Sequence, residues 1–383
     1  MSVTAAKGFT AAGIAAGIKE NGNPDLALVV NTGPRLAAAG VFTSNRVKAA
    51  PVLWSEQVLK GGLVSAVVLN SGGANACTGP QGFQDTHATA EKVAETLSLN
   101  AGEVAVASTG LIGVTLPMDK LLPGVEKAAG ELSAHGGEKA AIAIKTTDSV
   151  HKTSVAARDG WTVGGMAKGA GMLAPGLATM LVVLTTDADV EAGLLDTALR
   201  DATRVTFDRV DSDGCMSTND TVLLLASGAS GVTPGHAEFA DAVREVCADL
   251  GRQLIGDAEG ASKDIKVEVV NAASEADAVE VGRSIARNNL LKCALHGEDP
   301  NWGRVLSAIG TTSAAFEPDR LNVAINGVWV CKNGSVGEDR DLVDMRYREI
   351  VVTADLAAGA ETATIWTNDL TADYVHENSA YSS

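Results

Sequence analysis

The chain alternates short apolar runs with amphipathic segments, and turn residues separate them along almost its whole length. Runs of about four to eight apolar residues predict strands buried on both faces, and apolar residues spaced three and four apart predict helices. The predicted helices cover 87–97, with Asp85 or Thr86 as its cap, 190–205 and 236–254. The predicted strands cover 26–30, 39–42, 63–69, 103–107, 179–184, 222–226, 265–270, 321–325 and 350–353. Strands that alternate with helices in this way are typical of an α/β fold.

The segment 164–188 departs from this pattern. It opens with four glycines in eight residues and has Pro175 near its middle, so we expect a loop over 164–178. The apolar run that follows predicts a strand starting at Thr179. From the local pattern alone, Thr179 is simply the first residue of a core strand. Its place between a flexible loop and a rigid strand is also one where a side chain can react.

Two loops of small residues follow predicted strands, NSGGANACTG over 70–79 and STGLIG over 108–113. Loops at this position in α/β enzymes present backbone N–H groups and short polar side chains to ligands. Thr109 and Gly110 could in this way donate hydrogen bonds to a developing oxyanion. The alternative is that both loops are ordinary connections from strand to helix.

Polar clusters occur at 146–148, 259–263 and 296–304. Glu259 lies among small residues that would let a substrate approach, although a solvated turn glutamate explains it equally well. Asp211, Asp213 and Asp220 could ligate a hard cation, but their spacing does not match the twelve-residue calcium loop. We therefore expect no metal.

Composition and charge narrow the class of protein. A length of 383 residues is enough for roughly two or three domains, and a content of 46% hydrophobic and 20% charged residues is typical of globular proteins. A net charge of −17 disfavours nucleic acid and anionic membranes as partners, so small metabolites are expected. The five cysteines include no CxxC pair, and no apolar run of about 18 residues is present. A cytoplasmic protein without disulfides or zinc is predicted.

Motifs of several enzyme classes are missing from the sequence. There is no Walker A loop, no GxGxxG after a strand and no GxSxG turn, and the histidines are scattered singly. Nucleotide binding and a Ser-His-Asp hydrolase are therefore disfavoured, and no cofactor is expected. An enzyme of this kind needs another type of nucleophile.

Eight motifs together resemble the ornithine acetyltransferases. They occur in the family's order and span nearly the whole chain, and they are NSGGANACTG (70–79), STGLIG (108–113), TTD (146–148), KGAGMLAPGLATML (168–181), STNDT (217–221), EGASK (259–263), HGEDPNWGR (296–304) and YVHENSAYSS (374–383). Enzymes of this family are self-cleaving glutamate N-acetyltransferases of the cyclic arginine pathway. The resemblance implies a layered α/β fold of the N-terminal-nucleophile type with a smaller C-terminal α/β domain.

The resemblance also implies how the chain is processed and what it does. Self-cleavage between Ala178 and Thr179 would give an α chain of 1–178 and a β chain of 179–383, which assemble as two α and two β chains. Thr179 would accept acetyl from N-acetylornithine and pass it to glutamate, and acetyl-CoA is a further candidate donor. The sequence alone also allows an aminopeptidase or amidase of the same self-cleaving type, or a non-catalytic small-molecule binding protein.

The family's site residues fall on identifiable positions of this sequence. Thr109 and Gly110 match the oxyanion hole beside the nucleophile Thr179. The matches to substrate-binding positions are Thr146 (or its neighbour Thr147), Lys168, Thr179, Glu259, Asn378 and Ser383. The sequence departs from the family pattern only at flanking positions, namely Lys145, Ser149, His151 and Cys215. These departures leave the class intact and bear on the fine substrate preference.

Overall fold

The computed structural model describes residues 2–174 and 180–380 and divides into two compact units. The first unit holds the chain up to Asp208 together with Cys215–Asp257, and the second holds Arg209–Gly214 and the chain from Ala258 onward. The strands are β1 (Phe9–Ile14), β2 (Leu26–Asn31), β3 (Ala38–Phe42), β4 (Ala66–Ser71), β5 (Val104–Thr109), β6 (Lys152–Ala157), β7 (Thr162–Lys168), β8 (Leu181–Thr186), β9 (Thr221–Ala226), β10 (Asp264–Ala272), β11 (Asn322–Ile325), β12 (Val328–Lys332), β13 (Ser335–Val336), β14 (Glu349–Asp355) and β15 (Glu361–Asn368). The helices are α1 (Ala50–Leu59), α2 (Gly79–Leu97), α3 (Met118–Gly130), α4 (Gly137–Ala143), α5 (Ala192–Val205), α6 (His236–Gly256), α7 (Glu275–Ala286), α8 (Asn289–His296), α9 (Trp302–Ile309) and α10 (Ala372–Ala380).

Two sheets form the centre of the first unit. One has the order β1-β2-β4-β5, and its strands β4 and β5 are parallel, with Ser71 opposite Thr109 at their carboxyl ends. The other has the order β3-β9-β8-β7-β6, and β8 and β9 are its parallel pair. The functional loops predicted at 70–79 and 108–113 therefore leave the same edge of one sheet, since they follow adjacent parallel strands.

The two sheets share one apolar core, which explains the unbroken hydrophobic runs in the sequence. Val29 and Leu69 of one sheet and Val183 of the other belong to this core, and all three are fully buried. Alternate residues of the first sheet, such as Val68, pack instead with Val93 of α2 and with the residues of α3. Because each strand is covered on both faces, it carries apolar residues at successive positions rather than at every second one.

Helix α6 covers the outer face of the second sheet. The ring of Phe239 on α6 lies 5.8 Å from that of Trp161, and a Cβ placed on Gly165 would lie 3.0 Å from Val246 Cγ1. The first unit is thus layered as helix, sheet, sheet and helix.

The predicted loop over 164–178 is wrong for its first part, because Gly164–Lys168 belong to strand β7. A Cβ at Gly164 would lie 2.4 Å from the Ser2 carbonyl oxygen, and one at Gly165 would lie 2.7 Å from Leu184 Cδ2. Glycine is needed here so that the N-terminal segment and the Leu184 side chain of the paired strand β8 can approach β7, not so that the backbone can bend. Residues 169–174 do form a loop, and the predicted positions 175–179 lie outside the described residues.

The predicted start of one helix needs a smaller correction. Helix α2 begins at Gly79 rather than beside Asp85 or Thr86, and Pro80 occupies its first turn. Thr86 lies within the helix, where its hydroxyl donates to the Gly82 carbonyl oxygen at 2.9 Å. Proline at the start of a helix loses no intrahelical hydrogen bond, so this start agrees with the local chemistry.

The second unit is smaller and is built on one six-stranded sheet in the order β13-β12-β11-β14-β10-β15. Strand β10 pairs in parallel with β14 and antiparallel with β15. Val267 of β10, Val281 of α7 and Val305 of α9 meet in its core. The predicted fold class, layered α/β with a smaller C-terminal α/β domain, is confirmed.

Within the described ranges, no helix has the length and apolar character needed to cross a membrane. The division into chains 1–178 and 179–383 stays a prediction, because both residues of the proposed cleavage site lie outside the described residues.

Candidate active site

The two loops that follow β4 and β5 are held against each other by backbone and side-chain hydrogen bonds. Gly73 N–H donates to the Thr109 carbonyl oxygen at 3.0 Å, and Ser108 Oγ donates to Asn70 Oδ1 at 2.6 Å. The amide of Asn219 donates to the Ala74 carbonyl oxygen at 2.6 Å and to that of Ser108 at 2.8 Å. Asn219, from the STNDT motif, therefore fixes both loops at once. A turn held this firmly keeps its geometry when charge develops beside it.

Gly110 is the residue at which this turn requires glycine. Its φ is +133°, and a Cβ there would lie 2.5 Å from the Gly73 nitrogen. Among the hydrogen bonds of the described chain, none uses the N–H of Gly110. A rigid backbone N–H without an internal acceptor is the kind of donor that an oxyanion hole supplies.

Lys168, the last residue of β7, lies beside Thr109, the last residue of β5. Its side chain is buried, and its ammonium donates to the Thr109 hydroxyl at 3.2 Å. Because the hydroxyl oxygen accepts from Lys168, the hydroxyl hydrogen is left to donate to another group. The structure thus brings together three of the predicted site residues, Thr109, Gly110 and Lys168.

Asp148 connects the TTD turn to the residue that follows Lys168. One of its carboxylate oxygens accepts from Gly169 N–H at 2.7 Å and from the Lys152 ammonium at 2.7 Å, and the other accepts from Thr146 N–H at 3.0 Å. Burial opposes ionisation of Asp148, but the charges of Lys168 and Lys152 and these hydrogen bonds outweigh it and hold its pKa at about 2. Asp148 is therefore an anion that positions the turn bearing Thr146.

Thr146 and Thr147 are both half-buried in this turn, so the choice between them as the substrate contact stays open. The backbone N–H of Thr146 donates to Asp148, and the Thr146 hydroxyl takes no part in that hydrogen bond. The position of the turn next to Gly169 agrees with the predicted grouping of Thr146 with Lys168.

Asp220 is fully buried and holds the first described residue after the proposed cleavage site. Its Oδ1 accepts from Met180 N–H at 3.1 Å, and its Oδ2 has no hydrogen-bond partner in the part of the chain that the structure describes. Burial raises the pKa of Asp220 well above its usual value, although Met180 N–H and the charge of Lys168 act in the opposite direction. The sequence pointed to Asp220 as a candidate cation ligand and as part of the STNDT motif, but not to its contact with Met180.

The cation site itself finds no support in the described ranges, which contain no group of three or more His, Cys, Asp or Glu side chains arranged to hold a metal. Asp220 belongs to the first unit, whereas Asp211 and Asp213 belong to the second. The Asp211 carboxylate instead accepts from Arg287 Nε at 2.8 Å.

Glu259 and Asn378 lie in the second unit. Glu259 is buried, and its neighbour Gly260 packs against the start of α10, where a Cβ on Gly260 would lie 2.2 Å from the Tyr374 nitrogen. Asn378 is one turn further along α10, and its amide donates to the Tyr374 carbonyl oxygen at 3.0 Å. The glutamate of EGASK and the asparagine of the C-terminal motif are thus carried by two segments in contact. Ala178, Thr179 and Ser383 lie outside the described residues.

Comparison with known proteins gives the family. The ArgJ family model matches residues 10–383. The arginine biosynthesis bifunctional protein ArgJ of Streptomyces avermitilis is 88% identical over 383 residues, which cover 100% of both chains. Its counterpart in Streptomyces coelicolor is 85% identical over the same coverage. Among solved structures, ornithine acetyltransferase from Mycobacterium tuberculosis complexed with ornithine shares 62% identity, covers 47% of this chain and 96% of its own, and has a TM-score of 0.45.

These matches confirm the family that the eight motifs predicted and, with it, an acyltransferase of arginine biosynthesis. The family model covers almost the whole chain, and the identity to the Streptomyces relatives extends from end to end. The chain belongs to the ArgJ family.

Proposed function

We propose that the chain is a self-processing glutamate N-acetyltransferase that moves acetyl from N-acetylornithine to glutamate through an ester on Thr179. The observation that supports this most is the Gly110 N–H without an internal acceptor beside the Lys168–Thr109 hydrogen bond. Fixed donors of this kind stabilise the negative charge that develops on a carbonyl oxygen during acyl transfer. The Mycobacterium tuberculosis relative is an ornithine acetyltransferase complexed with ornithine, which agrees with the proposed substrate.

In the first half-reaction, the Thr179 hydroxyl oxygen adds to the acetyl carbon of N-acetylornithine. The negative charge on the carbonyl oxygen is held by the Gly110 N–H and the Thr109 hydroxyl, whose hydrogen is available because its oxygen accepts from Lys168. The bond between the acetyl carbon and nitrogen then breaks. Ornithine leaves as the amine after it has taken up the proton from the threonine hydroxyl, and the acetyl ester remains.

In the second half-reaction, the α-amine of glutamate attacks the same acetyl carbon. The ester bond to Thr179 breaks, the proton lost by the amine returns to the threonine oxygen, and N-acetylglutamate leaves. The same oxyanion donors serve both steps, because both pass through the same kind of tetrahedral intermediate. Ping-pong kinetics follow from this scheme.

The proton carrier that we propose is the α-amino group of Thr179, which exists only after self-cleavage. In the precursor, the Thr179 hydroxyl attacks the carbonyl of Ala178, and water hydrolyses the resulting ester. The α-amine released has an ordinary pKa of about 7.7–8.0, so near neutral pH it can accept the hydroxyl proton. The products are the chains 1–178 and 179–383, which we propose to assemble as two copies of each.

In this proposal, charged and polar side chains recognise the amino-acid substrate. Lys168 and Thr146 bind the amino-acid carboxylate, and Glu259 pairs with the cationic side chain of ornithine. Asn378 and Ser383 are two further substrate-binding residues in this proposal. Because the Streptomyces relatives are named bifunctional, we also propose acetyl-CoA as a second acetyl donor.

Mass-spectrometric detection of N-acetylglutamate tests the proposal, with N-acetylornithine and acetyl-CoA as alternative donors. Wild type should form the product from N-acetylornithine, Thr179→Ala should form none, and Thr179→Ser should keep part of the activity. Product formation by Thr179→Ala would contradict the proposed nucleophile. Peptide hydrolysis without acetylated glutamate would instead indicate the aminopeptidase or amidase alternative.

A further inference from the structure

Lys19 lies in the connection between β1 and β2, a stretch to which the sequence assigned no role. The buried carboxylate of Asp25 shapes this connection, since it accepts from the N–H groups of Ala16 at 2.7 Å, Gly17 at 3.1 Å and Lys19 at 2.9 Å. With all three of these donors bound to one carboxylate, the backbone at Lys19 is held in place. The direction of its side chain is therefore set by the fold.

The stem of Lys19 packs on the loops that form the candidate active site. A Cβ on Gly72 would lie 3.1 Å from Lys19 Cγ, so glycine at this position makes room for the lysine stem. Gly72 in turn lies against Gly110, where a Cβ would be 2.7 Å from the Gly72 carbonyl carbon. Gly72 thus lies between the Lys19 side chain and the turn that contains Gly110.

The ammonium of Lys19 reaches the other side of the site. It donates to the carbonyl oxygen of Lys145, the residue before Thr146, at 2.6 Å, and to that of Pro24 at 3.1 Å. An ammonium has three donors, so one is left for another acceptor. Within the described ranges, no carboxylate lies at ion-pair distance from it.

The charges around Lys19 leave the site positive. Burial lowers the pKa of Lys19, and among the neighbouring charges Asp25 and Asp148 favour its protonated form, whereas Lys168 and Lys145 oppose it. The carboxylates of Asp25 and Asp148 are already occupied by backbone N–H groups and by Lys152. An incoming carboxylate would therefore meet the positive charges of Lys19 and Lys168, of which Lys19 is half-buried and Lys168 is buried.

We propose that Lys19 binds the side-chain carboxylate of glutamate and so determines specificity for the acetyl acceptor. Glutamate carries two carboxylates, whereas N-acetylornithine carries one carboxylate and a cationic side chain. A second lysine beside Lys168 therefore favours the acceptor over the donor, because it attracts a charge that only the acceptor has. This inference rests on the proposed acetyl transfer and assigns part of its specificity to Lys19.

The test compares Lys19→Met with wild type in the two half-reactions, with the processed full-length enzyme. Methionine keeps the stem that packs on Gly72 and removes the charge. We expect the KM for glutamate to rise about tenfold or more, as for the loss of a charge-assisted hydrogen bond. Formation of the acetyl-enzyme from N-acetylornithine, followed by intact mass, should change less than about twofold.

Two further variants complete the design. Lys120→Met removes a charge from the exposed face of α3 beside the same connection, where a Cβ on Gly17 would lie 3.7 Å from Lys120 Cδ, and should leave the KM for glutamate close to that of wild type. Lys19→Arg keeps the charge and should keep most of the glutamate affinity. An unchanged KM for glutamate in Lys19→Met, an equal loss in both half-reactions, or Lys19→Arg behaving as Lys19→Met would overturn the inference. A wild-type enzyme that forms no acetyl-enzyme would instead overturn the proposed function.

Discussion

The ammonium of Lys168 donates to the hydroxyl of Thr109 across 3.2 Å, and this hydrogen bond joins the last residue of β7 to the last residue of β5. The two strands belong to different sheets of the first unit, so the contact crosses from one sheet to the other. It places a buried positive charge beside the turn in which Gly110 presents its N–H.

Lys168→Met should lower kcat/KM for acetyl transfer by about tenfold or more, because it removes the charged donor to the Thr109 hydroxyl and the cation proposed to bind the substrate carboxylate. The methionine fills the same volume but no longer polarises the Thr109 hydroxyl. Steady-state kinetics measures the loss, and circular dichroism checks that the fold is kept. Lys168→Arg, which keeps a cation at this position, should retain more activity, and equal activity of Lys168→Met and wild type would contradict the role given to Lys168.

Gly110→Ala should destabilise the first unit by at least about 2 kcal/mol, because the new Cβ meets the Gly73 backbone and φ is positive. Gly113→Ala is the matched control, since Gly113 also has a positive φ but a Cβ there meets nothing within 4 Å. It should cost only about 1 kcal/mol. Urea unfolding compares the two variants, and equal losses would show that the contact with Gly73 is unimportant.

Asp148→Asn should lower the free energy of unfolding at neutral pH. Between about pH 4 and pH 2, the free energy of unfolding of the variant should fall less steeply than that of wild type. The pKa of Asp148 is about 2 in the folded chain, below the usual value of 3.8, so its ionised form stabilises the fold. This contribution, about 2 kcal/mol, is present above about pH 4 and is lost as the pH falls towards 2. Urea unfolding at pH 7 and at pH 3 measures it for wild type and variant.

Asp344→Asn is the control for that experiment. Hydrogen bonds from Arg346 hold the pKa of Asp344 at about 2 as well, but its side chain is 41% exposed. Solvent screens such a surface pair, so its replacement should change stability far less than Asp148→Asn does. If the two variants lost the same amount, burial of Asp148 would not be the source of its effect.

Asp220→Ala should slow self-cleavage and destabilise the first unit by about 1–3 kcal/mol, because it removes the buried acceptor of Met180 N–H. Asp220→Asn keeps an acceptor oxygen at that position and avoids the cost of a buried charge, as the raised pKa of Asp220 indicates. It should therefore cleave faster than Asp220→Ala and be at least as stable. The rate at which fragments appear on denaturing gels measures cleavage, and the reverse order of the two variants would contradict the role of Asp220.

The sequence predicted most of the strands because burial on both faces leaves continuous apolar runs such as 181–186. It missed the strand over Gly164–Lys168, since glycines selected for close packing between layers look the same as glycines of a loop. Thr109 and Gly110 were predicted from their place after a strand, and their neighbour Lys168 from the family motif. Lys19 carries no such signal, and the STNDT motif contains Asp220 without indicating its contact with Met180, because both residues bind segments distant in the chain.

Intact mass spectrometry of the purified protein after incubation with N-acetylornithine detects both the cleavage and the acetyl ester. We expect two fragments with the masses of 1–178 and 179–383, and one added acetyl group on the second fragment only. Thr179→Ala should remain a single chain without acetyl. An uncut wild-type chain that is active in acetyl transfer, or an acetyl group on the fragment 1–178, would contradict the assignment of Thr179 as cleavage site and nucleophile.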